Sequence, residues 1–472
     1  MIGKDRIIEL LKSLTREARK NGAGQAEALY VGSHGSTTRF ANSVVAQNVK
    51  DSNRTIYFRI LLDKRVGIAS TNSLHIEDLR RCLKKAIAIA KQSKPLDFFD
   101  FLPEPSKYPD FKTHFPETAN LTISDKIKML DDIFKKLKSG TKSPLTLILS
   151  PKGRGKGEGV KAGGAFSTLE TEVGIVNSNG VEAYQPFTSA NINLITSSAS
   201  ASGFASGFER DIKKIDMDKL LATTLGKTIA NKKLKKLKPG RYAVLLEPAA
   251  VNEILEWLVY IGFGAEAFID GTSFMSGTMG KKIMDKKITI YDDGADTCGF
   301  PVPFDFEGVR KRRLDIIKNG VAKEVAYDTL LARRCRKKTT GHALIIEDIE
   351  GPFPSNVFIK EGNHSLDQMV SMVERGVIVT RFHYVNGLLD TKTASMTGMT
   401  RDGAFYIEDG KIKYPLEDMR FTESILEAFS RVEAISSERE AFPTPWSNVG
   451  ANVVPALFIK EFNFSDQIER GY

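Results

Sequence analysis

At 472 residues, 41% hydrophobic and 27% charged, the chain can build more than one domain with its own core. No apolar run approaches the roughly 18 residues that a membrane span needs, and the charges scattered through MIGKDRIIELLK argue against a signal peptide. The net charge of +10 admits nucleic acid or acidic partners, but part of the excess, Lys232, Lys233, Lys235, Lys236 and Lys238, sits near a helix end, where cations suit the dipole.

Residues 5–20 place Ile7, Ile8, Leu11, Leu14 and Ala18 on one face at helical spacing, and Gly22 and Gly24 end the pattern. Strands are expected at 26–31, 38–50 and 54–62, then a helix at 76–92 with Leu79, Cys82, Leu83, Ile87 and Ala90 inward. A further helix is expected at 124–138, with Ser124 as N-cap. Strand signals follow at 145–150, 172–184 and 191–195, and SSASASGFASG (197–207) reads as a flexible turn region. A helix at 216–232 leads to a strand at 242–248 and a second helix at 249–260. Beyond Gly271, short strands are punctuated by turn signals at 292–296, 318–320, 401–403 and 408–410. The pattern predicts an α+β protein. A mixed α/β domain (1–215) is followed by a large, mainly antiparallel β domain (216–472).

Three cysteines, Cys82, Cys298 and Cys335, form no disulfide framework and read as the reduced thiols of a cytoplasmic protein. The stretch 151–164 has glycines at 153, 155, 157 and 159 but matches neither the P-loop nor the dinucleotide spacing. It reads as an exposed basic loop in which Arg154 and Lys156 could meet a polyanion or peptide. The six histidines, His34, His75, His114, His342, His364 and His383, form no short metal motif. A composite site of Cys298, His342 and His383 is conceivable in the β domain, as is an acid–base pairing of His383 with Asp390 or Glu408. In 399–412 a hairpin is expected, with Arg401, Asp402 and Gly403 at its turn and Phe405 and Ile407 on one face. Arg401 could contact a substrate carboxylate.

Segments in collinear order across nearly the whole chain resemble the TldD/PmbA family. They include TTRFANSVVAQNV (37–49), LLEPAAVNEILEWL (245–258), GTSFMSGTMGKKI (271–283), YDDGADTCGFPVPFDFEGV (291–309), GVIVTRFHYVN (376–386) and TGMTRDGAFYIEDGKIKYP (397–415). The resemblance implies a two-subunit peptidase enclosing a cavity that acts on unfolded peptides. One subunit type carries an H-E-x-x-x-H helix and a late cysteine as zinc ligands, with the glutamate as general base on metal-bound water. Matching the strand that ends at Glu247 and Pro248 puts that motif at Glu256, Trp257, Leu258, Val259, Tyr260 and Ile261, with no histidine among them. None occurs between His114 and His342, and no cysteine follows Cys335. Instead Ala250, Val251, Ile254, Leu255, Leu258 and Val259 stand at core spacing.

These departures imply a PmbA/TldE-like subunit with no catalytic residues, metal ligands or cofactor of its own, and zinc in a TldD-like partner. Its assembly would be a heterodimer with that partner or a homodimer. Unfolded peptide is the expected substrate, with residues for binding it not assignable from sequence. Membrane and nucleic acid are not expected partners. An autonomous hydrolase and a basic binding protein for nucleic acid or acidic protein are the two alternatives.

Overall fold

The computed structural model describes residues 1–139, 159–198, 201–230, 234–348, 350–445 and 447–467. Helix α1 (Lys4–Lys20) buries Ile7, Leu11, Leu14 and Ala18, the expected face. Strands β1 (Gln25–Ala41) and β2 (Val44–Leu62) then form one long hairpin through Asn42 and Ser43, whose φ values of 53° and 58° supply the positive φ a two-residue turn demands. The three shorter strands expected here are thus two. The polar runs at 32–37 and 51–53 resemble breaks, but unbroken ladder pairing carries the backbone through them. After β3 (Arg65–Thr71) come α2 (Ile76–Gln92), the single turn α3 (Pro116–Ala119) and α4 (Ile123–Ser139). The cap of α4 is Thr122, not Ser124, since Thr122 Oγ1 accepts from the Asp125 amide at 3.1 Å.

Strands β4 (Lys161–Asn177), β5 (Glu182–Ser197) and β6 (Ser202–Glu209) complete a six-stranded antiparallel sheet in the order β3-β2-β1-β4-β5-β6. The strand expected at 172–184 is therefore interrupted by a turn at 178–181. The serine-rich stretch expected to be flexible contains β6, held by β5 and by helix α5 (Met217–Ala230). The strand expected at 145–150, most of the basic glycine loop including Arg154 and Lys156, and Lys232 and Lys233 lie outside the described residues. Of that loop, 161–164 begins β4.

One face of this sheet carries four helices, α1 and α2 over Ala26, Ala28 and Tyr30, and α4 and α5 over Phe40, Phe166 and Ile192. The opposite face, with Leu29, Val173, Ile175 and Phe187, packs on Val302, Phe304 and Val449 of the second half. Helix α5, grouped by sequence with the second half, lies on β5 and β6.

The second sheet has eleven strands: β7 (Gly240–Leu246), β8 (Ile290–Asp292), β9 (Leu314–Lys318), β10 (Val321–Ala322), β11 (Asn356–Ile359), β12 (Arg375–Asp390), β13 (Ser395–Glu408), β14 (Lys411–Pro415), β15 (Met419–Ser424), β16 (Val432–Thr444) and β17 (Ser447–Gln467). Its order is β10-β9-β8-β11-β17-β15-β13-β12-β7, and β17 also pairs with β7, closing a ring through β15, β13 and β12. Only β11–β17 and β7–β12 are parallel, so the mixed α+β class and the antiparallel second half are as the sequence indicates. The hairpin expected with its turn at 401–403 turns instead at Asp409 and Gly410, both at positive φ. Asp402 (φ 54°) and Gly403 (φ 131°) lie within β13 where the register against β12 slips, a β-bulge. Phe405 and Ile407 do share a buried face.

Candidate functional site

Helix α6 (Pro248–Leu258) follows β7 directly, with Pro248 where a missing amide hydrogen costs nothing. Ala250, Val251, Ile254, Leu255 and Leu258 are all fully buried in the main core of the second half, and a π turn (Val259–Phe263) continues the packing. On the polar side of α6, where Glu253 and Glu256 are half-buried, side chains of both halves meet. From α5, Lys227 pairs with Glu247 at the N-cap of α6. Asn452 on β17 donates to Asn252 Oδ1 at 3.0 Å, and Asn252 Nδ2 donates to Glu256 Oε1 at 2.8 Å.

Three carboxyls in this region hold their protons unusually tightly. Burial, and then the neighbouring charge of Glu253, pushes Glu256 up to about 8, so it is largely protonated at neutral pH. Burial raises Glu253 against the opposing pull of Arg381. Glu440, on β16, is reached by water yet closely walled by protein, and this enclosure together with Glu247 raises it to about 6. Arg381 is held by Asp402, with Nε 2.8 Å from Oδ2, and its guanidinium lies 4.5 Å from the Phe204 ring of β6. This region therefore offers proton-holding carboxyls, an anchored cation and the amides of Asn252 and Asn452. Sequence reading missed it because its residues come from separate elements, from Lys227 on α5 to Asn452 on β17. Glu253 and Glu256, one helical turn apart, were the one local signal.

The positions 256–261 do not fit a zinc site. Glu256 is their one titratable oxygen ligand other than the Tyr260 phenol, and a carboxyl protonated at neutral pH is a poor metal donor. Among the described residues no group of three or more His, Cys, Asp or Glu side chains could hold a metal.

The other combinations suggested by the sequence are not assembled. Cys298 is exposed, His342 is buried, and His383 lies on β12 with its ring tilted against that of Tyr384 at 4.0 Å, so no composite centre forms. Asp390 accepts from the Lys392 amide at 2.9 Å and from Thr393 Oγ1 at 2.8 Å, while Glu408 is at the other end of β13, 3.9 Å from Lys413. His383 has instead Arg401 and Arg381 nearby, which with burial lower its pKa. Arg401 is exposed, and the partner of Asp402 is Arg381.

His342 does take part in a carboxylate–imidazole–hydroxyl chain. Its Nε2 is 3.0 Å from Asp292 Oδ1, though off the direction of a hydrogen bond, and its Nδ1 is 2.9 Å from Thr340 Oγ1. The distances mimic a catalytic relay. All three side chains are sealed, however, and Thr340 Oγ1 already binds the Tyr327 amide at 2.8 Å. Lys311 and the amides of Ser355 and Asn356 complete the cage around Asp292, which they and His342 hold well below the usual carboxylate range despite burial. The network is structural.

Three family models cover most of the chain. The PmbA/TldA metallopeptidase domain 1 matches residues 26–90, the central domain 116–237 and the C-terminal domain 239–466. The chain belongs to the PmbA/TldD family. Among its relatives is an uncharacterized protein of Methanocaldococcus jannaschii, 26% identical over 431 residues that span 89% of this chain and 93% of the other. The metalloprotease PmbA of Escherichia coli O157:H7 is 27% identical over 46% of each chain. The fold is that of TldE from Thermococcus kodakarensis, with a TM-score of 0.83 at 20% identity over 97% of this chain and 100% of that one. The central-domain match includes α5, which agrees with its packing on the first sheet. No helix among the described residues is long and apolar enough to cross a membrane.

Proposed function

We propose that this PmbA/TldD-family chain is the non-catalytic, PmbA/TldE-like subunit of a two-subunit cytoplasmic metallopeptidase that processes unfolded peptides, with zinc supplied by a TldD-like partner. One observation carries the reading. Where the family resemblance implies metal ligands, α6 and the π turn after it present Leu258, Val259 and Ile261 to the core, and the sequence has no histidine between His114 and His342. A water molecule there would keep its ordinary acidity, because no cation is held to lower it. The polar region beside α6 has a different use in this account. Its amide groups, Arg381 and partly protonated carboxyls can hydrogen-bond peptide backbone without demanding particular side chains, which suits a wall of a degradation chamber.

Affinity purification of the tagged chain from its native source tests this. The expected result is a stoichiometric companion bearing H-E-x-x-x-H, with peptidase activity in the pair and none in the separated chain. Recovery of the chain without such a companion, cleaving peptides unaided, contradicts it.

A further inference from the structure

On the helix-covered face of the first sheet lies an open groove of about 330 Å³, within the range of small-molecule sites. Its floor is the cross-strand row of Lys50, Ser36 and Thr168, and its rim is the connection from α3 into α4. Lys126 reaches this row from α4, its Nζ lying 2.8 Å from Ser36 Oγ and 2.6 Å from the Ser36 carbonyl oxygen. Lys126 is fully buried, with the Phe166 ring 5.6 Å from its Nζ and no carboxylate of the described residues at ion-pair distance. A buried ammonium without a counter-charge is costly, and burial lowers this amine to about 8, so its neutral form is accessible near physiological pH.

We propose that Ser36 is a nucleophile activated by Lys126, giving the chain an acyl-transfer activity toward small esters that enter this groove. The neutral Lys126 amine takes the proton of Ser36 Oγ as that oxygen attacks the carbonyl carbon. The tetrahedral intermediate expels the alkoxide, which leaves as an alcohol with the proton returned by the Lys126 ammonium. Water then attacks the acyl-serine ester, passing its proton to Lys126. Collapse frees the carboxylic acid, and the departing Ser36 alkoxide recovers the proton. Ile123 and Ser124, in the first turn of α4, line the same groove, and their amides, without acceptors inside the helix, would serve the developing oxyanion.

The test uses the whole chain, a fluorophosphonate probe that captures activated serines, and a chelator to silence any metallopeptidase. Peptide mass mapping is expected to find the adduct on Ser36. Its formation rate should rise through about pH 8 as Lys126 loses its proton, and fall about 100-fold in folded Lys126→Met. Ser36→Ala should carry no adduct on that peptide. Absence of a Ser36 adduct at about pH 9, or an equal rate in folded Lys126→Met, overturns the proposal. If Lys126→Met fails to fold, the wild-type profile decides, because a rate flat between about pH 7 and pH 9 is equally contradictory. The groove shares no lining residue with the polar region beside α6, so neither result depends on the partner-subunit reading.

Discussion

Arg59 on β2 reaches the second half of the chain, its Nη1 lying 2.5 Å from Glu307 Oε1, while Nη2 binds Glu27 Oε2 at 2.9 Å. All three side chains are buried, so the guanidinium ties the two halves together in a medium where neither carboxylate has water. Replacing one member of a buried ion pair leaves the others uncompensated, at about 3–5 kcal/mol. Arg59→Met is therefore expected to lower the unfolding free energy, measured by urea titration, by that amount. A change below about 1 kcal/mol would mean that the pair acts like a surface one.

The same cluster has more acid than base, and its stability should fall on the alkaline side. Burial, then Glu307, outweighs Arg59 and raises Glu27 to about 7 from an ordinary 4.5. Burial and the charge of Glu307 raise Asp305 and Asp328 as well. Raised folded-state values mean that the native protein binds more protons than the unfolded chain between the two values, so their contribution is lost as pH rises through the folded value. His342, whose pKa is lowered in the fold, has finished its opposite contribution above its ordinary 6.5. Denaturation at about pH 6.5 and pH 8.5 should show the lower stability at the higher pH. Constant or rising stability would contradict this protonation pattern.

Glu256 gives a sharper, single-site version. Because its folded-state value is about 8 against an ordinary 4.5, Glu256→Gln should be nearly neutral at about pH 4 and stabilising relative to wild type above about pH 8. Thermal melts at the two pH values separate this from a lost hydrogen bond, which would cost the same at both.

At Gly387 on β12, an added Cβ would fall 2.8 Å from Trp257 Cε3 and 3.0 Å from its Cβ. Gly387→Ala should thus cost about 1–3 kcal/mol by overpacking and shift the emission of Trp257, one of two tryptophans in the chain. Unchanged emission and stability would show that the β12 arm yields freely against α6.

Much of the helical content was legible before any coordinates. The helix expected at 76–92 is α2 residue for residue, and the core face of α6 was readable from Ala250 to Leu258 because 3.6-residue periodicity is a local signal. What escaped was long-range. Strands β1 and β2 run through polar stretches that hydrogen bonding across the sheet, not composition, keeps extended. The Asp402 and Gly403 bulge looked like a turn, since both use the same positive φ. Neither the polar contacts beside α6 nor the Ser36–Lys126 contact could be read from spacing, because their members are brought together from distant positions.

The central claim is that zinc chemistry belongs to another subunit, and metal analysis of the purified chain tests it most directly. After dialysis against trace zinc, the chain alone should retain no stoichiometric metal and show no peptidase activity, while the assembled pair retains zinc and cleaves unfolded peptides. Tight zinc binding by this chain alone, accompanied by chelator-sensitive cleavage, would contradict the account.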